Sequence, residues 1–440
     1  MRLTVIGTGY VGTVHAACMA DLGHDVLGID VDEERVASLA AGCPPVHESG
    51  LGELLARNAA AGRLRFTTSL AEGAAFADVH FVCVGTPQRK DGESADLRHV
   101  DAVVEGLLPH LRAGALIVGK STVPVGTAAR LGQWVDAAAP GCEVAWNPEF
   151  LREGSAVHDT LHPERLVAGT SSRRADTILR EVYRPMLRAG VPYFGTDTAT
   201  AELVKVAANS FLATKISFIN AMSEVCEAVG ADAALLARAV GADPRIGPLF
   251  LEPGLGFGGS CFPKDIRAFA ARAEELGVPE AVVFLHEVDR INTRQRRRTV
   301  EQARRLLGGS FTGRRIGVLG AAFKPGSDDV RDSPALTVAS AVHAQGAAVR
   351  VHDPEALDNA RAARPELTYA PDVSKAFEGA DLVLHLTPWP DYRRLDPRAL
   401  ASVVRRPLLL DARNALDAAA WRAGGWTVRA LGRSRTEAVS

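Results

Sequence analysis

At 440 residues the chain is long enough for roughly two to four domains with separate cores. Its 50 Lys and Arg against 52 Asp and Glu leave a net charge of −2, which excludes the basic field of a nucleic-acid binder and points to a small partner. Six cysteines without CxxC spacing or histidine clusters argue against a zinc centre and a disulfide framework, so a reducing cytoplasm is expected. The apolar pattern begins almost at Met1 with no charged leader and no long apolar run, so neither secretion nor a membrane span is expected.

Leu3 to Ile6 reads as a short strand that breaks at Gly7-Thr8-Gly9-Tyr10-Val11-Gly12 before an Ala-rich helical pattern through Leu22. GxGxxG between strand and helix permits a tight turn, a close backbone approach to a pyrophosphate and tight helix packing, with the helix N-terminus facing the phosphates. Val26 to Asp30 forms a second strand ending in an acid, which can accept from the ribose hydroxyls and repels a 2′-phosphate, so NAD is expected over NADP. Arg35, in the next helix, lies near the adenosine or on a solvated face. Val79 to Val84 ends at Gly85-Thr86-Pro87, and Leu116 to Val118 ends near Ser121-Thr122. In open parallel sheets such strand ends are where ligands bind. Val144 to Trp146 closes at Asn147-Pro148-Glu149-Phe150-Leu151-Arg152-Glu153-Gly154, whose two glutamates converge if the turn becomes helical, as a general base or as acids at a helix start.

Glu202 to Val229 lacks proline and internal glycine and predicts one long helix, a spine or a subunit contact. Lys205 and Asn209, at i and i+4, share a face near Glu202, and are costly if buried without purpose. After Asp243-Pro244-Arg245 comes Pro253-Gly254-Leu255-Gly256-Phe257-Gly258-Gly259-Ser260-Cys261-Phe262-Pro263-Lys264-Asp265, a glycine-rich loop presenting either a nucleophile near Lys264 or an inert buried thiol. A helical region follows with Asn292 and an arginine-rich run, Arg294 to Arg298, read as a solvated face. Strands then restart at Arg315 to Gly320, Val349 to Val351, Leu382 to Leu386 and Leu408 to Asp411, implying a second Rossmann-like sheet with Lys324 and Arg413 at strand ends, suited to a diphosphate. The tail after Gly432 reads as polar and frayed.

Six motifs together resemble the nucleotide-sugar 6-dehydrogenase family: GTGYVG at Gly7, STVPVGT at Ser121, NPEFLREGSAVHD at Asn147, ELVKVAANSF at Glu202, GFGGSCFPKD at Gly256 and FKPGSDDVRDSP at Phe323. The resemblance spans nearly the whole chain. It implies two Rossmann-like parallel-sheet α/β domains joined by a central long-helix dimerisation region: NAD binding over 1–200, the helical region with the cysteine loop over 201–300, and sugar-nucleotide binding over 301–440. It implies oxidation of a C6 alcohol to a carboxylate in two hydride transfers, with Cys261 carrying a hemithioacetal and then a thioester. Lys205 matches the family's lysine that stabilises the oxyanion or exchanges the alcohol proton, with Asn209 as companion donor, Asp265 and Thr122 match residues that position water and substrate oxygen, and Glu149 matches the acid/base of hydrolysis. Cofactor contacts are implied for Gly7, Gly9, Tyr10, Val11, Gly12, Asp30, Arg35, Thr86, Pro87, Ser121, Thr122, Glu153, Lys264 and Arg331. Substrate contacts are implied for Glu149 to Glu153, for Lys205, Asn209, Phe257, Gly258, Lys324 and Arg413, and for Arg245 reaching across a homodimer. His47-Glu48-Ser49-Gly50 stands where the family commonly has Tyr-Glu-Pro-Gly, which bears on that loop's rigidity. Leu161 to Arg165 and Asp328 to Arg331 match the UDP-glucose branch, and Ser260 argues against the UDP-N-acetylmannosamine branch. GDP-mannose stays an alternative because that branch shares the cysteine loop. A silent nucleotide-sugar sensor is the non-enzymatic alternative, which the full catalytic set opposes.

Overall fold

The computed structural model describes residues 1–433, so the expected tail lies outside the described residues from 434 on. The chain divides into two compact units, Met1–Ala208 with Arg267–Pro279, and Asn209–Ile266 with the chain from Glu280 onward.

The first unit holds eight strands: β1 (Arg2–Ile6), β2 (Asp25–Ile29), β3 (Leu64–Thr67), β4 (Val79–Val82), β5 (Leu116–Gly119), β6 (Glu143–Trp146), β7 (Leu166–Gly169) and β8 (Tyr193–Thr196). Their order, β3-β2-β1-β4-β5-β6-β7-β8, is the doubly wound pattern, with its reversal between β1 and β4. Every join is parallel except β6 to β7, a single antiparallel pairing of Trp146 with Gly169. The inner strands β1, β2 and β4 to β7 are mostly apolar and buried because helices cover both faces, whereas the edge strand β8 is half-exposed. Leu3 and Val5 enter one core with Val14 and Phe81, whereas Ile6 enters the other with Leu27 and Ile29, following the two-residue alternation of a strand. Each such side chain contributes about 1.5–3 kcal/mol by leaving water.

The second unit repeats the pattern with β9 (Arg315–Leu319), β10 (Ala348–His352), β11 (Thr368–Tyr369), β12 (Leu382–His385), β13 (Leu408–Asp411) and β14 (Thr427–Ala430), all parallel in the order β11-β10-β9-β12-β13-β14. The two sheets echo each other at their first turns. Gly7 N–H donates to Ile29 O at 2.7 Å after β1, and Gly320 N–H donates to His352 O at 2.7 Å after β9. The acid after the second strand caps each turn: Asp30 accepts from Thr8 N–H, and Asp353 accepts from Ala321 N–H, each at 2.7 Å.

The long helix runs Thr198–Val229, four residues earlier than the sequence suggested. Asp197 caps it by accepting from Thr200 N–H at 2.8 Å, which extends the helix back through Thr198. The arginine-rich run lies on the helix Phe284–Leu306 and is not a solvated face. Arg296 is buried, pairing with Asp332 at 2.7 Å and donating to Phe257 O, and Arg298 pairs with Glu227 at 2.7 Å. Partners remote in sequence absorb those charges, so composition alone misplaces them. Among the described residues no helix is long and apolar enough to cross a membrane.

Candidate active site

In the first unit the glycine turn follows β1 and feeds the helix Tyr10–Asp21. Gly7 has φ +89°, and a side chain on Gly12 would place Cβ 1.8 Å from Gly7 O. Both positions therefore require glycine. A Cβ on Gly9 would meet nothing within 4 Å, leaving open space before the first N–H groups of the helix, among them those of Tyr10, Val11 and Gly12. Asp30 is buried, and its carboxylate also accepts from Arg35 at 3.1 Å, so Arg35 is committed to the acid rather than free on a solvated face. Burial pushes the Asp30 pKa up, but the N–H groups of Asp32 and Thr8 and the Arg35 guanidinium together hold it below the ordinary value. The open turn, the helix N-terminus and this fixed anion fit a dinucleotide without a 2′-phosphate. Across the crevice, Thr86 donates to Thr122 O at 2.7 Å and Ser121 donates to Val84 O at 2.6 Å, so the fold brings Thr86, Ser121 and Thr122 together, with Pro87 following.

The Asn147 to Ser155 segment stays non-helical, with the next helix only at Ala156–Leu161. The helical convergence of Glu149 and Glu153 therefore does not form. Glu149 instead turns to Leu151 N–H at 2.7 Å and to Lys205, whose ammonium lies 2.9 Å away with both side chains buried. A lysine in a long apolar helix is thus buried against a carboxylate, and a general base candidate is held beside a cation. Lys205 also lies 5.6 Å from the Phe150 ring centre, and Arg165 covers that ring at 4.1 Å. Arg152 pairs with Asp159 at 2.7 Å on the surface, while Leu151 is half-buried.

In the second unit Cys261 immediately precedes the helix Phe262–Glu275, and Asp265 N–H closes the first turn on Cys261 O at 2.9 Å. The thiol is half-exposed and lies 3.6 Å from Ser260 Oγ. A helix N-terminus favours thiolate over thiol. Lys264, expected to act on the sulfur directly, places its ammonium 2.5 Å from Asp265, whose other oxygen accepts from Asn209 at 2.7 Å. Asp265 is therefore a buried carboxylate fixed from both sides. The loop before it is clamped along its backbone. Asn292 holds Phe257 through both N–H and C=O at 2.8 and 3.0 Å, Arg413 donates to Gly256 O at 3.0 Å, and Gly259 N–H donates to Arg331 O at 3.0 Å. At Gly258 a Cβ would lie 2.3 Å from Asp332 O, so this glycine serves close approach.

The remaining expected residues are more dispersed. Arg331 directs its guanidinium to Asp329 at 2.7 Å, and Arg245 pairs with Asp243 at 2.6 Å on an exposed turn. Lys324 lies 5.4 Å from the Phe323 ring centre. Arg413 is half-buried, and desolvation, then the neighbouring Arg296, lowers its pKa to about 10; among the described residues its Nη2 has no hydrogen-bond partner.

Two acids were missed. Glu48 is buried and accepts from Gly154 and Ala156 N–H at 2.7 and 2.9 Å and from the Tyr10 hydroxyl, joining the glycine turn to the Asn147 segment. The sequence signal lay in His47-Glu48-Ser49-Gly50, where only loop rigidity was weighed. Glu202 points not to Lys205 but to Gly126 and Ala128 N–H, each at 2.7 Å. Burial raises its pKa from 4.5 to about 7 against those two donors. Its contribution to stability is therefore full below pH 4.5 and is lost as pH rises through 7, a change on the order of 3 kcal/mol. Relative to a Glu202→Gln protein, wild-type thermal stability should fall from pH 5 to 8; a constant difference in Tm would contradict this.

The family models match in order along the chain. The NAD binding domain of the UDP-glucose/GDP-mannose dehydrogenase family covers residues 1–187, its central domain 199–294 and its UDP binding domain 317–418. The chain belongs to this family. Among family members, UDP-glucose 6-dehydrogenase of Pseudomonas aeruginosa is 43% identical, over 99% of this chain and 98% of its own. UDP-glucose 6-dehydrogenase TuaD of Bacillus subtilis is 41% identical, over 98% and 93%. The solved UDP-glucose dehydrogenase of the archaeon Pyrobaculum islandicum superposes with TM-score 0.88 at 40% identity, covering 97% and 98%. A GDP-mannose dehydrogenase structure from Pseudomonas aeruginosa reaches 0.54 at 27%. The family's NAD binding model thus falls on the glycine turn and Asp30, and its UDP binding model ends just past Arg413.

Proposed function

We propose that this protein oxidises the C6 alcohol of UDP-glucose to the carboxylate of UDP-glucuronate, using two NAD per turnover. The observation that carries it is the full-length similarity to UDP-glucose dehydrogenases, at 41–43% for the two sequence relatives above. The clamped cysteine loop and the buried Glu149–Lys205 pair support it. NAD, held by Gly7, Gly9, Tyr10, Val11, Gly12, Asp30, Thr86 and Thr122, supplies a hydride acceptor for each oxidation. In the first oxidation the alcohol proton leaves through water while Lys205 and Asn209 stabilise the developing oxyanion by donation. The Cys261 thiolate then adds to the aldehyde carbon, forming a carbon–sulfur bond and a tetrahedral hemithioacetal able to lose a second hydride. The resulting thioester is cleaved by water, with Glu149 taking the proton as the carbon–sulfur bond breaks and Cys261 leaves as thiolate. Asp265, fixed between Lys264 and Asn209, orients that water. Arg413 and Lys324 carry charge to the diphosphate. The sequence division into 1–200, 201–300 and 301–440 is retained as the functional one. The test of substrate is parallel turnover with UDP-glucose and GDP-mannose: NADH from UDP-glucose is expected, and turnover with GDP-mannose alone would overturn the assignment.

A homodimer formed through the long helix is part of this proposal. Phe211, Phe218, Val225 and Val229 are exposed on it at intervals of seven, seven and four, one apolar stripe along a single face. Phe218→Asp should shift the mass measured by light scattering from dimer to monomer, and an unchanged dimer would remove the helix from the interface.

A further inference from the structure

Beneath the crevice of the first unit lies a lysine to which no role has been assigned. Lys120 follows β5 directly and is buried, yet among the described residues no carboxylate lies within ion-pair distance of it. Its ammonium donates to Asn147 Oδ1 at 3.0 Å and to the Tyr183 hydroxyl at 3.4 Å, and that hydroxyl donates to the same Asn147 oxygen at 2.5 Å. Asn147, 1% exposed, follows β6 and spends its Nδ2 on Val167 O of β7 at 2.7 Å. Three neighbouring strands are thereby joined through one amide, at the point where β6 and β7 meet antiparallel. Aromatic faces line the site, with the ammonium 6.0 Å from the Phe81 ring centre and 5.8 Å from that of Tyr183.

A buried ammonium without a counter-ion costs several kcal/mol, so a merely structural strut would serve better as an apolar residue. Its place in the chain says what it serves. Ser121-Thr122 comes next after Lys120, and Pro148-Glu149 next after Asn147, so the lysine–amide bond fixes the origins of the two turns that carry Thr122 and Glu149. The titratable groups that interact with it are Tyr183 by hydrogen bond and Cys83, Glu149, Lys205 and His15 electrostatically. Desolvation, partly offset by Cys83 and Glu149, lowers the lysine's pKa to about 8. Burial raises the thiol of Cys83 to about 12 and keeps the phenol of Tyr183 neutral, and burial holds His15 neutral, so at pH 7 the lysine carries the charge of the cluster.

We propose that Lys120 is a positioning residue for the reaction: its bond to Asn147, braced by Tyr183, holds the turns bearing Thr122 and Glu149 in register. The proposal rests on the dehydrogenase function above, and on the same residues being used for it. Lys120→Met keeps the length and removes the charge and the donor. In the full-length protein its kcat should fall on the order of 10–100-fold, with KM for NAD within threefold of wild type, because the glycine turn and Asp30 are untouched. Lys120→Arg should recover part of that loss. The activity of Lys120→Met should no longer change as pH rises from 7 to 9, where wild type loses the charge. Independently of turnover, hydrogen exchange should accelerate in 120–126 and 147–155 and nowhere else in the first sheet. If wild type turns over no nucleotide sugar, the functional proposal fails and the exchange pattern alone decides the positioning claim. If wild type is active, a folded Lys120→Met with kcat within threefold of it, or with unaltered exchange in both segments, overturns the claim. Should Lys120→Met not fold, Tyr183→Phe decides: a kcat about fivefold lower with faster exchange in the same two segments supports the proposal, and no change in either refutes it.

Discussion

Cys261→Ser should leave a folded protein whose NADH production from UDP-glucose is lower by on the order of 10⁴ or more, because serine at that place lacks an anion at neutral pH. The substitution is close to isosteric, and the loop's hold comes from elsewhere: Asn292 on Phe257, Arg413 on Gly256 and Arg331 on Gly259 all act on backbone. Stability should therefore change little. Intact-mass measurement after mixing wild type with UDP-glucose and NAD should find a sugar-nucleotide adduct on Cys261, and the serine protein should show none. Steady-state turnover near wild type in Cys261→Ser would end the covalent role.

Lys205→Met is the second large effect, and it separates two consequences of one ion pair. The Glu149 carboxylate would stay buried with, among the described residues, only Leu151 N–H to face it, since Lys205 supplies its counter-charge at 2.9 Å. Removing one member of a buried pair costs about 3–5 kcal/mol. The lost oxyanion donor should independently lower kcat by on the order of 10²–10³. Pairing Lys205→Met with Glu149→Gln distinguishes them: the double variant should regain much of the lost denaturation midpoint and none of the activity. Recovery of activity in the double variant would show that Lys205 serves only to neutralise Glu149.

Much of this arrangement was legible before any coordinates, for identifiable reasons. Glycine turns, strand ends and a long helix without proline or glycine are written locally, so the first βαβ turn, Asp30, the cysteine loop and the helix to Val229 were found where they lie. What escaped was decided by distant partners. Glu202 shares a helical face with Lys205 in sequence, yet two backbone N–H groups beyond β5 draw it away. Glu149 and Glu153 converge only if their turn becomes helical, and the segment does not form that helix. Arg296 is absorbed by Asp332, and Glu48 by Tyr10 and Gly154, none of which can be read from spacing. The position of Cys261 at a helix N-terminus was available in Phe262-Pro263, a proline at an early helical position, but the glycines before it suggested only a loop.

The most direct measurement is the amount of NADH formed when a known quantity of UDP-glucose is consumed to completion. Two NADH per UDP-glucose, with UDP-glucuronate as product, is the expected result. One NADH per UDP-glucose with release of the aldehyde, or no NADH at all, would contradict the two-step oxidation through Cys261.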